Sequence, residues 1–205
     1  MRDIAPRAAA ADINARIAAR VRDLRQAQSL TLEALASRSD VSRSMLSLVE
    51  RGESSPTAVL LEKIATGLGV PLAALFDDAD AAPSPLSTRA ERTPWKDPQS
   101  GYVRCNISPS NYASPIRIVE VRLPPGAAVA YESGPREAGI HQQIWVQEGS
   151  LEVTVDRTSY RLAADDCLAM QLDVPTAFRN RGRKSARYIV VVAAERARAL
   201  RNAAP

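Results

Sequence analysis

The stretch Thr31-Leu-Glu-Ala-Leu-Ala-Ser-Arg-Ser-Asp-Val-Ser-Arg-Ser-Met-Leu-Ser-Leu-Val-Glu-Arg-Gly52 decides how the first half of the chain folds. Leu32, Leu35 and Ala36 make one short apolar stripe at helical spacing, and Leu46 with Val49 makes another. Thr31 and Ser42 stand just ahead of these stripes. Their side-chain oxygens can accept from the free N–H groups of a helix's first turn. Gly52 follows the second stripe as a stop. The spacing predicts two short helices joined by a tight turn.

Upstream, Ile13, Ile17, Val21 and Leu24 step by four, four and three residues, which places them on one helix face. Downstream, Pro56-Thr57 opens a run of Leu60, Leu61, Ile64, Ala65 and Leu68, with Gly67 and Gly69 at its close. Pro71 can begin a further helix through Phe76. The expectation is an all-α unit of five short helices over residues 11–77. Between Asp77 and Pro94 no stripe continues, and Ala-Ala-Pro-Ser-Pro interrupts the chain, so residues 78–94 read as a linker.

After Trp95 the apolar period falls to two. Arg117 to Leu123 alternates and stops at Pro124-Pro125-Gly126. Ile144 to Val146 runs into Glu148-Gly149, Leu151 to Val155 alternates and ends at Asp156-Arg157, and Tyr160 to Leu162 leads to Asp165-Asp166. Tyr188 to Val192 is apolar throughout. Short strands with turn signals every 8–12 residues predict a β-sandwich or barrel, here over residues 95–195.

Two folding units are reasonable for 205 residues, and 45% apolar with 24% charged residues suits a globular chain. His141 is the only histidine, and Cys105 and Cys167 lie far apart. That composition excludes a zinc finger, a disulfide-rich scaffold and any site needing two histidines from one chain. No apolar run reaches the roughly 18–20 residues that span a bilayer. The N-terminus lacks a secretory core. A cytoplasmic protein with no membrane partner is expected. The net charge of +4 is unevenly spread, because Arg179, Arg181, Arg183, Lys184, Arg187, Arg196, Arg198 and Arg201 oppose only Glu195. Total charge therefore nominates no nucleic-acid-binding region.

The segment from Thr31 to Gly52, continued through Ser55-Pro-Thr and Leu61-Glu-Lys-Ile-Ala-Thr-Gly-Leu-Gly-Val, closely resembles the lambda-repressor-like (XRE-type) helix-turn-helix. Asp40 stands where that family usually has glycine, and aspartate tolerates the left-handed conformation better than most residues. The resemblance implies operator DNA as a partner, with Ser42, Arg43, Ser44 and Ser47 facing the major groove. Arg43 can donate a bidentate pair to guanine. Arg51 and the loop with Ser54 and Ser55 are expected near phosphates, and Thr31 is counted among the DNA-binding residues. Residues 11–76 hold eight basic residues against seven acids, so one domain alone should bind DNA weakly. A dimer reading half-sites ~34 Å apart would compensate, with the β domain as dimeriser.

Residues 95–194 resemble a small cupin barrel, a double-stranded β-helix or jelly roll. Gln147-Glu-Gly-Ser-Leu-Glu-Val-Thr-Val is similar to the end of the first cupin motif. Leu162 to Leu168 and Asp173-Val-Pro-Thr-Ala-Phe-Arg-Asn are similar to the second. By that resemblance the metal-binding glutamate position falls on Gln142, the histidine pair around Arg136 to Ala138, and the last histidine on Thr176. No histidine is present at any of them. A metal-free, non-enzymatic barrel without cofactor is the expectation. His141 adjoins Gln142 and so points to the opposite face, with Trp145. Cys167, at an apolar strand start, is expected as inert packing rather than a nucleophile. What remains is a cavity for a small-molecule effector. Ile144 and Phe178 would supply apolar walls, Tyr131, Gln142 and Thr176 hydrogen bonds, and Arg104, Arg117 or Arg136 a bidentate grip on a carboxylate. The favoured function is a dimeric, effector-controlled transcriptional regulator, for instance a repressor. The alternatives are a metal-dependent enzyme on a DNA tether and a constitutive DNA binder whose cupin only dimerises.

Overall fold

The apolar steps of the first half are realised as four α-helices: α1 (Ala5–Ala27), α2 (Leu32–Ser39), α3 (Arg43–Glu50) and α4 (Ala58–Gly67). The computed structural model describes residues 5–78, 82–110, 112–132 and 139–194, with the side chains of α1 described from Ile13 onward. Three of these helices start as their sequences require. Thr31 accepts from the Ala34 N–H at 3.0 Å, Ser42 from Met45 at 3.2 Å and Thr57 from Leu60 at 3.2 Å. Asp40 turns α2 into α3 in the left-handed conformation, at φ 51°. Ile17, Val21, Leu35, Leu46, Leu61 and Ile64 are all fully buried in one core.

The fifth expected helix is instead a 3-10 turn, Leu72–Phe76, so the described domain has four α-helices. Five residues leave few i→i−4 bonds to hold α geometry, and Pro71 offers no side-chain cap. Two further features have no signature in the stripes. Arg25 makes a bidentate ion pair to the buried Glu50 at 2.6 and 2.8 Å and also donates to the Leu30 carbonyl. Gly67 lets α4 lie so close to α2 that an added Cβ would sit 2.7 Å from the Ser39 Cβ.

The second half forms two antiparallel sheets from ten strands among the described residues. These are β1 (Trp95–Lys96), β2 (Val103–Asn106), β3 (Ile116–Leu123), β4 (Ala128–Tyr131), β5 (Ile140–Glu148), β6 (Leu151–Val155), β7 (Thr158–Leu162), β8 (Cys167–Gln171), β9 (Thr176–Arg179) and β10 (Ala186–Ala194). One sheet runs β1-β2-β3-β10-β5-β8 and the other β4-β9-β6-β7. Alternation sends Ile140, Gln142, Ile144 and Val146 inward from β5, and Thr176 and Phe178 inward from β9. Their outer neighbours face away, and one of them corrects an expectation. Cys167 is exposed rather than packed, because it lies on the outer face of edge strand β8, directly across from Trp145.

The two halves meet over a seam. Phe76 packs edge-on against Trp95 at 5.3 Å, and Trp95 against Tyr102 at 5.9 Å. Asp97, just after β1, accepts from the Ala58 N–H at 2.8 Å and so helps cap α4 from the other domain. Asn106 donates to the Ala73 carbonyl at 3.0 Å. The described part of the expected linker, residues 82–94, contains no helix or strand and runs beside this seam.

Candidate nucleic-acid interface and barrel cavity

Capping Ser42 to Met45 leaves the first turn of α3 pointing outward. Ser42, Arg43 and Ser44 are exposed, and the Ser42 and Ser44 hydroxyls lie 3.1 Å apart. Arg43 has only a loose contact with Glu33, at 3.9 Å between two well-exposed side chains, so its guanidinium is available to a groove. Thr31 is exposed, and its hydroxyl accepts from the first turn of α2 while its own proton remains able to donate outward. Ser47 is half-buried and receives a hydrogen bond from Arg51. Arg51 also makes a bidentate pair with Glu53 at 2.8 Å, which raises the guanidinium pKa and lowers that of the carboxyl. A phosphate would have to displace Glu53, an exposed and therefore inexpensive exchange. Ser54 is half-buried, and Ser55 is exposed within 3.4 Å of Asn14.

Inside the barrel, Arg104, Tyr131, Gln142, Thr176 and Phe178 line one cavity of about 60 Å3. The other expected residues lie elsewhere. Ile144 is fully buried but outside the lining. Arg117 pairs with buried Asp77 at 3.4 Å, because the start of β3 extends past the cavity to the seam. Arg136 lies outside the described residues.

The cavity also has walls that the sequence did not announce. Tyr102 comes from just before β2 and Tyr188 from β10. Glu62, Pro71, Leu72 and Ala73 come from the helical domain and roof the barrel. Nothing in the local pattern of α4 marks Glu62 as facing another domain.

The polar groups here are unevenly satisfied. Arg104 is 8% exposed and lies over the Phe76 ring at 4.9 Å, yet its Nε has no hydrogen-bond partner among the described residues. The Thr176 hydroxyl is buried and also unpaired. Tyr102 and Tyr131 share a 3.3 Å contact between hydroxyls. Burial pushes the phenols of Tyr102, Tyr131 and Tyr188 upward, so all three stay neutral donors. The arrangement can hold a small anion against Arg104 and orient it by hydroxyls and an amide.

Among the described residues the donors do not suit a transition metal. Two of the ligand positions hold the Gln142 amide and the Thr176 hydroxyl, where such metals need converging imidazole or carboxylate donors, and the histidine-pair positions, Arg136 to Ala138, lie outside the described residues. A cysteine–histidine nucleophile is also excluded by geometry. Cys167 and His141 are four residues apart in cross-strand register, roughly 13 Å along the outer face. Burial raises the Cys105 thiol, which keeps it protonated.

Comparison with known proteins places both halves. The Helix-turn-helix family matches residues 21–75 and the Cupin domain family residues 119–192. Control protein C.MunI of Mycoplasma sp is 36% identical over 70 residues, 34% of this chain and 95% of that protein. The HTH-type transcriptional regulator SutR of Escherichia coli strain K12 is 29% identical over 168 residues, 82% of this chain and 89% of that one. A crystal structure of an HTH_3 family transcriptional regulator from Vibrio cholerae superposes with a TM-score of 0.73 at 28% identity, covering 91% of this chain and 99% of that chain.

The chain carries an XRE-type helix-turn-helix domain followed by a cupin domain, and over most of its length it is similar to HTH-type transcriptional regulators. In this regulator the helix-turn-helix match stops at Leu75, and the cupin match starts at Val119. Strands β1 and β2, which build the seam, fall between the two. Among the described residues no helix is long and apolar enough to cross a membrane.

Proposed function

We propose that this cytoplasmic regulator binds its operator as a homodimer and that a small, carboxylate-bearing effector in the metal-free barrel sets its DNA affinity, with no enzymatic step. The observation that carries the reading is the pair of buried, unpaired polar groups, Arg104 Nε and Thr176 Oγ1, on one cavity. Each would recover hydrogen bonding from a ligand oxygen. The roof supplied by Leu72 and Ala73 gives the ligand contact with both domains, which differential affinity between DNA-competent and incompetent states requires.

Dimerisation is supported by the outer face of the six-stranded sheet. Trp145 there is 47% exposed beside Ile189, with Gln143 beside Val191 on the next rung. A second copy of that face would bury the indole and bring two weakly charged DNA-binding units together.

The test begins with selection of bound DNA from a genomic pool and continues with fluorescence anisotropy on the selected site. A metabolite that raises the melting temperature must also change operator affinity. Equal affinity with and without that metabolite at saturation removes effector control. A monomer in sedimentation analysis removes the dimer.

A further inference from the structure

Beside the barrel, the seam between the two domains encloses a second and larger cavity, of about 340 Å3. That is about the space of eleven liquid waters at ~30 Å3 each, and it falls in the size range of metabolite sites. Three arginines from three parts of the chain line it: Arg16 on α1, Arg92 in the connecting stretch and Arg104 on β2. All three lie outside both family-matched segments, as does Phe76 on the cavity wall.

Several of the cavity's polar groups are incompletely hydrogen-bonded within the described residues. Arg16 Nε, Arg104 Nε and Asn106 Oδ1 are buried without hydrogen-bond partners among the described residues. Three of the ties that cross it are long. Arg16 reaches Thr93 at 3.4 Å and Asp78 at 3.4 Å, and the Asp78 N–H reaches Ser110 at 3.4 Å. Asp78 and Glu91 offset two of the three positive charges. The remaining single charge matches one carboxylate better than a doubly charged phosphate. Around it stand the hydroxyls of Ser84, Ser108 and Ser110, which suit a polyhydroxylated body better than an alkyl chain.

We propose that the seam cavity is a second ligand site, sharing Arg104 with the barrel cavity, for a polyhydroxylated monocarboxylate. The carboxylate sits among the arginines and the hydroxyls meet the serines. Such a ligand touches α1, the connecting stretch and β2 together. Its binding energy is therefore coupled to how the DNA-binding unit is seated on the barrel.

Calorimetric titration of the full-length protein with gluconate tests this, with glucose and hexanoate as probes lacking the charge or the hydroxyls. The expected result is one gluconate per chain, with both control probes weaker by about tenfold or more, the scale of a lost charge-assisted hydrogen bond. Arg16→Gln and Arg92→Gln should each weaken gluconate by about tenfold. Arg92 bonds locally to Ser87, so that variant carries the test if Arg16→Gln loosens the fold, which circular dichroism would reveal. No gluconate binding at millimolar concentration overturns the proposal, and so does equal binding of either control. Gluconate binding that ignores both substitutions places the molecule elsewhere and also overturns it, while leaving the barrel reading intact.

Discussion

Arg43 and Glu50 sit seven residues apart on the same helix and do opposite work. Arg43 is exposed with only a loose partner, so its value lies in what it meets outside the protein. Arg43→Ala is expected to leave the melting temperature unchanged and to cost about 1–3 kcal/mol of operator binding, read by anisotropy. Glu50 is buried and neutralises Arg25 at 2.6 Å. Glu50→Gln leaves a buried guanidinium without its carboxylate, and chemical denaturation should show a loss of about 3 kcal/mol. Exchanging the two predictions would reverse the roles assigned to these side chains.

At the scale of elements, α2 and α4 approach at Gly67 more closely than any side chain permits. Alanine has the better helix propensity, by about 1 kcal/mol. An added Cβ at 2.7 Å from the Ser39 Cβ, and 3.0 Å from its backbone, must push the helices apart. Overpacking of this kind costs about 1–3 kcal/mol, so Gly67→Ala should be net destabilising in thermal unfolding despite the propensity gain. A stabilised variant would show that the helices can separate freely. The same scale explains what could be read in advance. Helix stripes and caps were legible because burial and capping are local patterns, and Thr31, Ser42 and Thr57 all cap as their positions suggest. The inward set on β5 was legible because its period is two. The fifth helix was misread because an apolar run cannot distinguish a 3-10 turn from a short α-helix. Cys167 was misread because edge strands send alternate apolar-looking positions into solvent. Strands β1 and β2 escaped because neither alternates clearly, and Arg117 was aimed at the wrong cavity because alternation says nothing about where along a strand the barrel ends.

The whole molecule depends on a seam that no local pattern encodes. Asp77 is buried there with one carboxylate oxygen unpaired among the described residues and the other facing Arg117 at 3.4 Å, with Arg20 near enough to stabilise its charge. Burial pushes its carboxyl upward, and the two arginines offset this only in part. A carboxyl raised in the folded state adds stability below its unfolded value, and that stability is lost as pH rises through the folded value. Asp77→Asn should therefore melt no lower than the parent at neutral pH, and the difference should vanish in acid below the ordinary carboxylate range. A variant that melts well below the parent at neutral pH would show that the Arg117 pair dominates instead.

Asp97 belongs to the chain's second half but holds the first turn of a helix in the first, through the Ala58 N–H. A fragment cut after residue 77 would keep every groove-facing residue and the Thr57 cap, and still lose the Asp97 bond to the first turn of α4, together with the indole that covers Phe76. Affinities measured on such a fragment would mix weaker DNA contact with a partly frayed reader. The helix-turn-helix unit thus leans on the cupin half, so exchanging barrels between relatives calls for transplanting residues 95–97 along with the barrel.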